Sequence, residues 1–236
     1  MIIFVSDYFS NQITGGAELT SDALLENSLL PVTRINSRNI DLQTINLFKN
    51  NRWILGNYSM ISDNLLLEII KNVENYSVIE YDYKYCKYRS THKHIETEGC
   101  CECENSSHGK LVSILMAKAK NVFWMSDKQK KEYIKVFPFL TKANNVVLSS
   151  SFSAESLSYI KSLDVSNKNN KFLILESGSW IKGTQDCVSH AQEHNLEYEL
   201  ISGLSHKDLL KKLAESKGLI FLPRGLDTCP RIVIEA

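Results

Sequence analysis

Apolar residues follow two alternating rhythms along this chain. Short solid runs, such as Ile2-Ile3-Phe4-Val5, Trp53-Ile54-Leu55, Val122-Phe123-Trp124 and Leu219-Ile220-Phe221-Leu222, have the length and density of strands buried on both faces. Between them apolar positions return every three or four residues, as at Leu19, Ala23 and Leu24, or at Leu65, Leu66, Ile69 and Ile70. The pattern predicts strands over 1–6, 31–35, 53–55, 77–81, 122–124 and 145–148. Helices are expected over 17–27, 41–48, 62–72, 110–118, 127–137 and 154–162, with Ser62 and Ser126 as caps. The polar stretch 164–170 reads as a linker. The rhythm then restarts, with strands over 172–175, 196–202 and 218–222, a helix over 205–216 and a last helix opening near 232–234. Strands alternating with helices imply parallel βαβ units. The expected fold class is α/β, with two Rossmann-like doubly wound sheets. The first spans 1–163 and carries an insert at 83–109. The second, 171–236, is expected to be an incomplete domain.

Charge narrows the partners. The 236 residues include 27 basic and 27 acidic side chains, a formal net charge of zero. No basic stripe stands out, which argues against nucleic acid. No apolar run is long enough to span a membrane. The six cysteines, without a secretory leader, are expected as reduced thiols in the cytoplasm, the inner face of a membrane included.

The closing stretch has the richest chemistry. Asp227 and Glu235 stand eight positions apart, roughly 12 Å along an axis if both lie on one helix. That is too far for carboxylates sharing a proton. It suits two contacts on one elongated ligand, such as a nucleotide sugar, each carboxylate accepting hydroxyl hydrogen bonds. The alternative is a capping Asp and a solvated helix Glu. Pro230 fits a helix's first turn, and Asp227 or Thr228 its cap, so the helix N-terminus is expected to form an anion site. Near the other end, Gly15-Gly16 sits between a strand and a helix, where a ligand can approach backbone N–H groups closely. Asp82, beside Tyr81 and Lys84, falls where a strand meets the cleft of a doubly wound fold. It reads either as a group orienting a ligand hydroxyl or as a strand-end cap.

The insert is polar and dense in cysteine. Cys86, Cys100, Cys101 and Cys103, with His92, His94 and His108 nearby, offer ligands for a structural zinc ion. The spacing Cys-Cys-x-Cys is not that of a standard finger, and free thiols or a disulfide are the alternatives. The insert is expected as a loop without structure of its own.

Three segments resemble retaining glycosyltransferases of the GT-B fold, family 4-like. They are Gly15-Gly16-Ala17-Glu18, Lys182-Gly183, and Asp227 to Ala236 with its Ile232-Val233-Ile234-Glu235-Ala236 ending. The resemblance implies two Rossmann-like domains facing a cleft and a hexosyltransferase-type enzyme. Such an enzyme moves a sugar from a nucleotide-diphosphate donor to a glycan, lipid or other acceptor with retained configuration. No metal is required for that transfer. It further implies that Gly15 and Gly16 lie over the sugar–phosphate junction, that Lys182 pairs with the donor phosphates, that Asp227 holds the donor sugar and that Glu235 holds the ribose. Where the family usually has a Glu at the first acidic position this chain has Asp227. Where it has an Arg before the Lys, this chain has Ser177, Gly178 and Ser179, so Arg224 or Arg231 is expected to supply the charge. A catalytically inactive or truncated scaffold or partner subunit is the alternative, and a sugar-nucleotide epimerase on the same fold is a third reading.

Overall fold

The computed structural model describes residues 1–236. The chain forms two compact units, Met1–Ser151 and Phe152–Ala236.

In the first unit six strands form one parallel sheet: β1 (Ile2–Ser6), β2 (Val32–Asn36), β3 (Arg52–Leu55), β4 (Tyr76–Glu80), β5 (Val122–Trp124) and β6 (Asn145–Val147). Their order is β2-β1-β3-β4-β5-β6. Helices α1 (Gly16–Glu26), α2 (Leu42–Phe48), α3 (Asp63–Asn72), α5 (Ser107–Lys118) and α6 (Asp127–Val136) connect the strands. A parallel strand covered on both faces needs apolar residues at successive positions. Ile3, Phe4 and Val5 of β1 are accordingly all buried. The chain leaves β1 for β2 on one side and returns to β3 on the other. That reversal is the topological switch point, where loops after β1 and β3 diverge and leave a crevice.

The core centres on large side chains. Trp53, Trp124, Tyr76, Tyr133, Leu115 and Ile69 are fully buried. Tyr133 of α6 stacks on Tyr83 at 5.7 Å and meets Tyr85 edge-on at 5.1 Å and Trp124 at 4.8 Å. This aromatic group anchors the chain just past β4 onto α6. Ser126 caps α6 as expected, accepting from the Gln129 backbone N–H at 3.2 Å. Ser62 precedes α3 but makes no capping hydrogen bond through its side chain.

The insert departs from the expected unstructured loop. It contains α4 (Thr91–Glu98), a helix between a Ser90 cap and Gly99 in the left-handed conformation. A tight helical turn, Cys103–Asn105, follows. The local chemistry explains the helix: Ser90 accepts from the Lys93 N–H at 3.3 Å, and a left-handed Gly ends it.

The second unit has a smaller parallel sheet of order β8-β7-β9, built from β7 (Phe172–Leu175), β8 (Tyr198–Ile201) and β9 (Gly218–Ile220). Its helices are α7 (Ala154–Ser162), α8 (Thr184–Glu193), α9 (His206–Glu215) and the five-residue α10 (Arg231–Glu235). Adjacent β7 residues face opposite ways. Leu173 packs with Ile201, Leu213 and Ile232, and Ile174 packs with Cys187, Ala191 and Ile220. Helices thus cover both faces. The boundary falls before α7 rather than after it at 163. Glu155 of α7 pairs with Lys207 of α9 at 2.8 Å, and Tyr159 lies under the same ammonium. No helix is long and apolar enough to cross a membrane.

Leu115 is completely buried in α5, whereas its neighbour Ile114 is exposed. Leu115→Ala should destabilise the chain by about 2–5 kcal/mol through lost contact and a residual cavity. Ile114→Ala should stay within about 0.5 kcal/mol. Urea unfolding of the two variants checks the contrast.

Candidate functional site

The polar side chains gather at the carboxyl ends of the strands in both sheets. In the first unit Asp7 directly follows β1 and is buried. Its carboxylate accepts from the Met60 N–H at 3.2 Å, from the Ser59 N–H at 3.3 Å, and from the hydroxyls of Ser37 and Ser59. The loops after β1, β2 and β3 are therefore tied through one carboxylate. Arg89 ties the next pair. Its guanidinium donates to Asn57 Oδ1 at 3.0 Å, to Ser59 Oγ at 3.0 Å, and through Nε to Asp82 Oδ2 at 2.7 Å, with a second, shorter contact from Nη2. Arg89 has φ +53°, an uncommon backbone state for a residue with a Cβ.

Behind this layer lies a second acid. Glu80, the last residue of β4, is fully buried. Its Oε1 accepts the Lys84 backbone N–H at 3.1 Å and lies 3.5 Å from Lys84 Nζ. Tyr58 O–H donates to its Oε2 at 3.3 Å. Lys84 Nζ also reaches Asp82 Oδ1 at 3.3 Å. Burial pushes Glu80 up to about 7, with Lys84 opposing the rise and Asp82 adding to it. Burial would also raise Asp82, but the Lys84 and Arg89 charges outweigh it and hold that carboxyl below its ordinary value. Two acids two residues apart thus move in opposite directions, Glu80 up through burial and Asp82 down through its cationic partners.

Gly15 caps α1 without a side chain, and Gly16 begins the helix. The Glu18 carboxylate folds back onto Gly15, where a Cβ would collide with it. Burial raises the Glu18 pKa. The α1 N-terminus therefore holds its own acidic group.

In the second unit the switch point lies between β7 and β9, since the chain departs from β7 to β8 and returns on the other side. Lys182 follows β7 and Asp227 follows β9. Separated by 45 residues in sequence, they meet with Nζ 2.6 Å from Oδ2. Gly183 makes the loop possible. Its φ is +61°, and a Cβ there would overlap the Leu222 carbonyl. The Arg224 N–H donates to Ile181 O at 3.1 Å, joining the same two loops. Arg224 also grips Asp186 with two bonds, at 2.5 and 2.8 Å.

The acidic pair expected along one helix is arranged differently. The helix starts at Arg231, after Pro230, so Asp227 belongs to the preceding loop. Neither Asp227 nor Thr228 caps it, because its N-cap is Pro230 and makes no side-chain bond. With only five residues, α10 is too short to form the expected anion site. Glu235 does lie on α10, but its Oε1 accepts from Arg231 Nε at 2.7 Å and pairs with His206 Nε2 at 2.8 Å. Arg231 is buried and stacks over the Phe152 ring at 4.0 Å.

The cysteine insert presents a different group. Cys86, His94, Cys101 and Cys103 bring their ligand atoms within 4.8 Å of one another, a set that could hold a metal ion. Cys100, expected as the fourth ligand, is exposed and outside this set, and His94 stands in its place. His92 is exposed. His108 turns elsewhere, to Asp63 Oδ1 at 2.7 Å and the Lys84 carbonyl at 3.0 Å.

Sequence reasoning missed Asp7, Glu80, Arg89 and His206. Asp7 and Glu80 were within reach, because both stand at the ends of predicted strands, where such folds place chemistry. Arg89 was not, since its role depends on a left-handed turn inside the insert.

Glu80 yields a pH prediction. Its folded pKa, about 7, exceeds its ordinary value of 4.5. The folded chain then binds more protons than the unfolded one between those values, so stability falls as pH rises through that window. The contribution is complete below 4.5 and lost above 7. Glu80→Gln removes this slope. Denaturation midpoints at pH 5 and pH 8 should shift in favour of the variant, relative to the native chain, at the higher pH; parallel profiles would exclude the assignment.

No protein-family model and no curated protein matches the chain.

Proposed function

We propose that the chain transfers a hexose-type sugar from a nucleotide-diphosphate sugar to a glycan or lipid acceptor with retained configuration, using a GT-B-like arrangement. The observation that carries this reading is the Lys182–Asp227 pair at the second sheet's switch point. Releasing a nucleoside diphosphate requires positive charge where negative charge accumulates. Lys182 supplies a flexible point charge. Beside it α8 begins at Thr184 after the Gly183 N-cap, which makes no side-chain capping bond, so its N-terminal dipole points toward the same loops.

Asp227 has two tasks in this reading. Without donor it holds Lys182. With donor bound, Lys182 turns to the phosphates and the Asp227 carboxylate accepts sugar hydroxyls. Glu235 and Arg231 form a buried, braced pair that fixes the adjoining loop. In the first unit Asp82 is held ionised by Arg89 and Lys84, suited to accept an acceptor hydroxyl. No metal takes part in transfer, and a structural zinc ion in the insert is compatible with it. Six cysteines without a disulfide suit a reducing, cytoplasmic setting.

Thermal unfolding with UDP, GDP, ADP and CMP tests the reading. One nucleoside diphosphate should stand out, since a ligand at a hundred times its Kd adds about 2.7 kcal/mol to the folded state. Lys182→Ala should abolish that shift while leaving the ligand-free midpoint nearly unchanged, and should lower turnover by about 100-fold or more. A flat panel on folded protein would overturn the proposal.

A further inference from the structure

The cysteine insert has a geometry that the transfer reading does not require. Cys86 lies just past β4 and is buried, His94 lies on α4, Cys103 opens the turn before α5, and Cys101 lies two residues ahead of it. His94 Nδ1 is 3.5 Å from Cys86 Sγ and 3.4 Å from Cys103 Sγ. Cys101 Sγ is 3.8 Å from Cys86 Sγ. A zinc ion with Zn–S of about 2.3 Å and Zn–N of about 2.05 Å, at tetrahedral angles, would separate two sulfurs by about 3.8 Å and a sulfur from a nitrogen by about 3.6 Å. The three measured edges match those of that tetrahedron. A disulfide needs its sulfurs at about 2.05 Å, and all six cysteines are free.

The supporting contacts have the same logic. A metal-bound imidazole is normally oriented by a partner on its other nitrogen. His94 Nε2 is 3.1 Å from Glu98 Oε2, one turn along α4. Glu98 is itself fixed by Lys87 Nζ at 2.7 Å and Tyr88 O–H at 2.8 Å. The Cys103 carbonyl accepts the Ser106 hydroxyl at 2.6 Å. Gly109 lies so close beneath it that any Cβ there would overlap that carbonyl. The turn that begins at Cys103 is therefore seated on the first turn of α5.

We infer that Cys86, His94, Cys101 and Cys103 bind one zinc ion through Sγ, Nδ1, Sγ and Sγ, in a closed structural site that fixes the turn presenting Arg89. Four protein ligands leave no open position, so the ion serves structure rather than chemistry. Binding converts three thiols to thiolates and releases their protons. The link to Arg89 is covalent and short. Cys86 O accepts the Arg89 N–H at 2.8 Å, closing the turn in which Arg89 takes its left-handed φ. Locking Cys86 at one end and His94 at the other holds Arg89 against Asp82, Asn57 and Ser59.

Elemental analysis of the full chain, purified without chelator, tests the site. About one zinc ion per chain is expected. Cys103→Ser and His94→Ala should each strip most of it, whereas Cys100→Ser should keep the native content. Because a ligand variant can fail for lack of folding, the native chain is also reconstituted with cobalt(II). Visible bands of tetrahedral cobalt and sulfur-to-cobalt charge transfer are expected. Chelation should raise hydrogen exchange across 86–105 while sparing β1 and β3. Absence of zinc together with absence of cobalt bands overturns the inference. So does a Cys100→Ser variant that loses metal as fully as Cys103→Ser, or unchanged exchange across 86–105 after the metal is removed.

Discussion

The Arg89–Asp82 ion pair is the contact on which the first unit's polar face depends. A parallel sheet buried on both sides leaves little room for polar atoms except where strands end. There, Asp7, Glu80 and Asp82 bring three carboxyl groups close to the core. Each needs a partner, because an unpaired charge in such a place is expensive. Asp7 is satisfied by neutral donors from the loops after β2 and β3. Glu80 and Asp82 share Lys84, and Asp82 also has Arg89. Without Arg89, one ammonium would face two acids, and Asn57 and Ser59 would lose the donor that joins β3's loop to β4's. The guanidinium's planar fork suits this multiple role better than a point charge would.

Both sheets follow one design at different sizes. In each, the chain reverses direction about its first strand, and in each the loops at that reversal are stitched by side chains far apart in sequence. The first unit uses a carboxylate, Asp7, as its knot. The second uses an ammonium and a carboxylate, Lys182 and Asp227, with Gly183 permitting close passage beneath Leu222. A knot of neutral donors around a buried acid is rigid. A partly exposed ion pair is replaceable. Of the two knots, the second is therefore the one whose members can part at low cost.

The legible part of this molecule was whatever depends on local rhythm. Strand and helix positions and the Ser126 cap follow from apolar spacing and hydroxyl placement, because those are short-range preferences; the polar stretch 164–170, expected as the linker, lies instead within the second unit. The convergence of Lys182 and Asp227 was legible only through resemblance to known motifs, since nothing in either segment alone names its partner. The helix at Thr91–Glu98 was missed because His, Lys, Thr and Glu give it almost no apolar stripe. Its evidence lay instead in Ser90 and Gly99, a start and a stop with eight residues between them. The replacement of Cys100 by His94 was illegible for a similar reason. Adjacent cysteines point to different sides of an extended chain, so Cys100 and Cys101 are poorly placed to serve one ion, and only the fold shows which of them faces His94.

Asp227 shows how a small departure from a motif becomes meaningful once geometry is known. A carboxylate one methylene shorter than Glu has less reach, yet here it touches Lys182 at 2.6 Å. The shorter arm thus binds the neighbouring cation rather than extending past it. The pair's side chains keep 25% and 12% of their exposure. Pairs open to water contribute about 0–1 kcal/mol, and this one, partly sheltered, stands near that range. Glu235 is different: with Arg231 and His206 both on its Oε1 and almost no exposure, its network is too well satisfied to be exchanged. Of the two acids in the closing stretch, Asp227 is held by one partly exposed partner and Glu235 by two buried ones, so the first is the looser and the second the tighter.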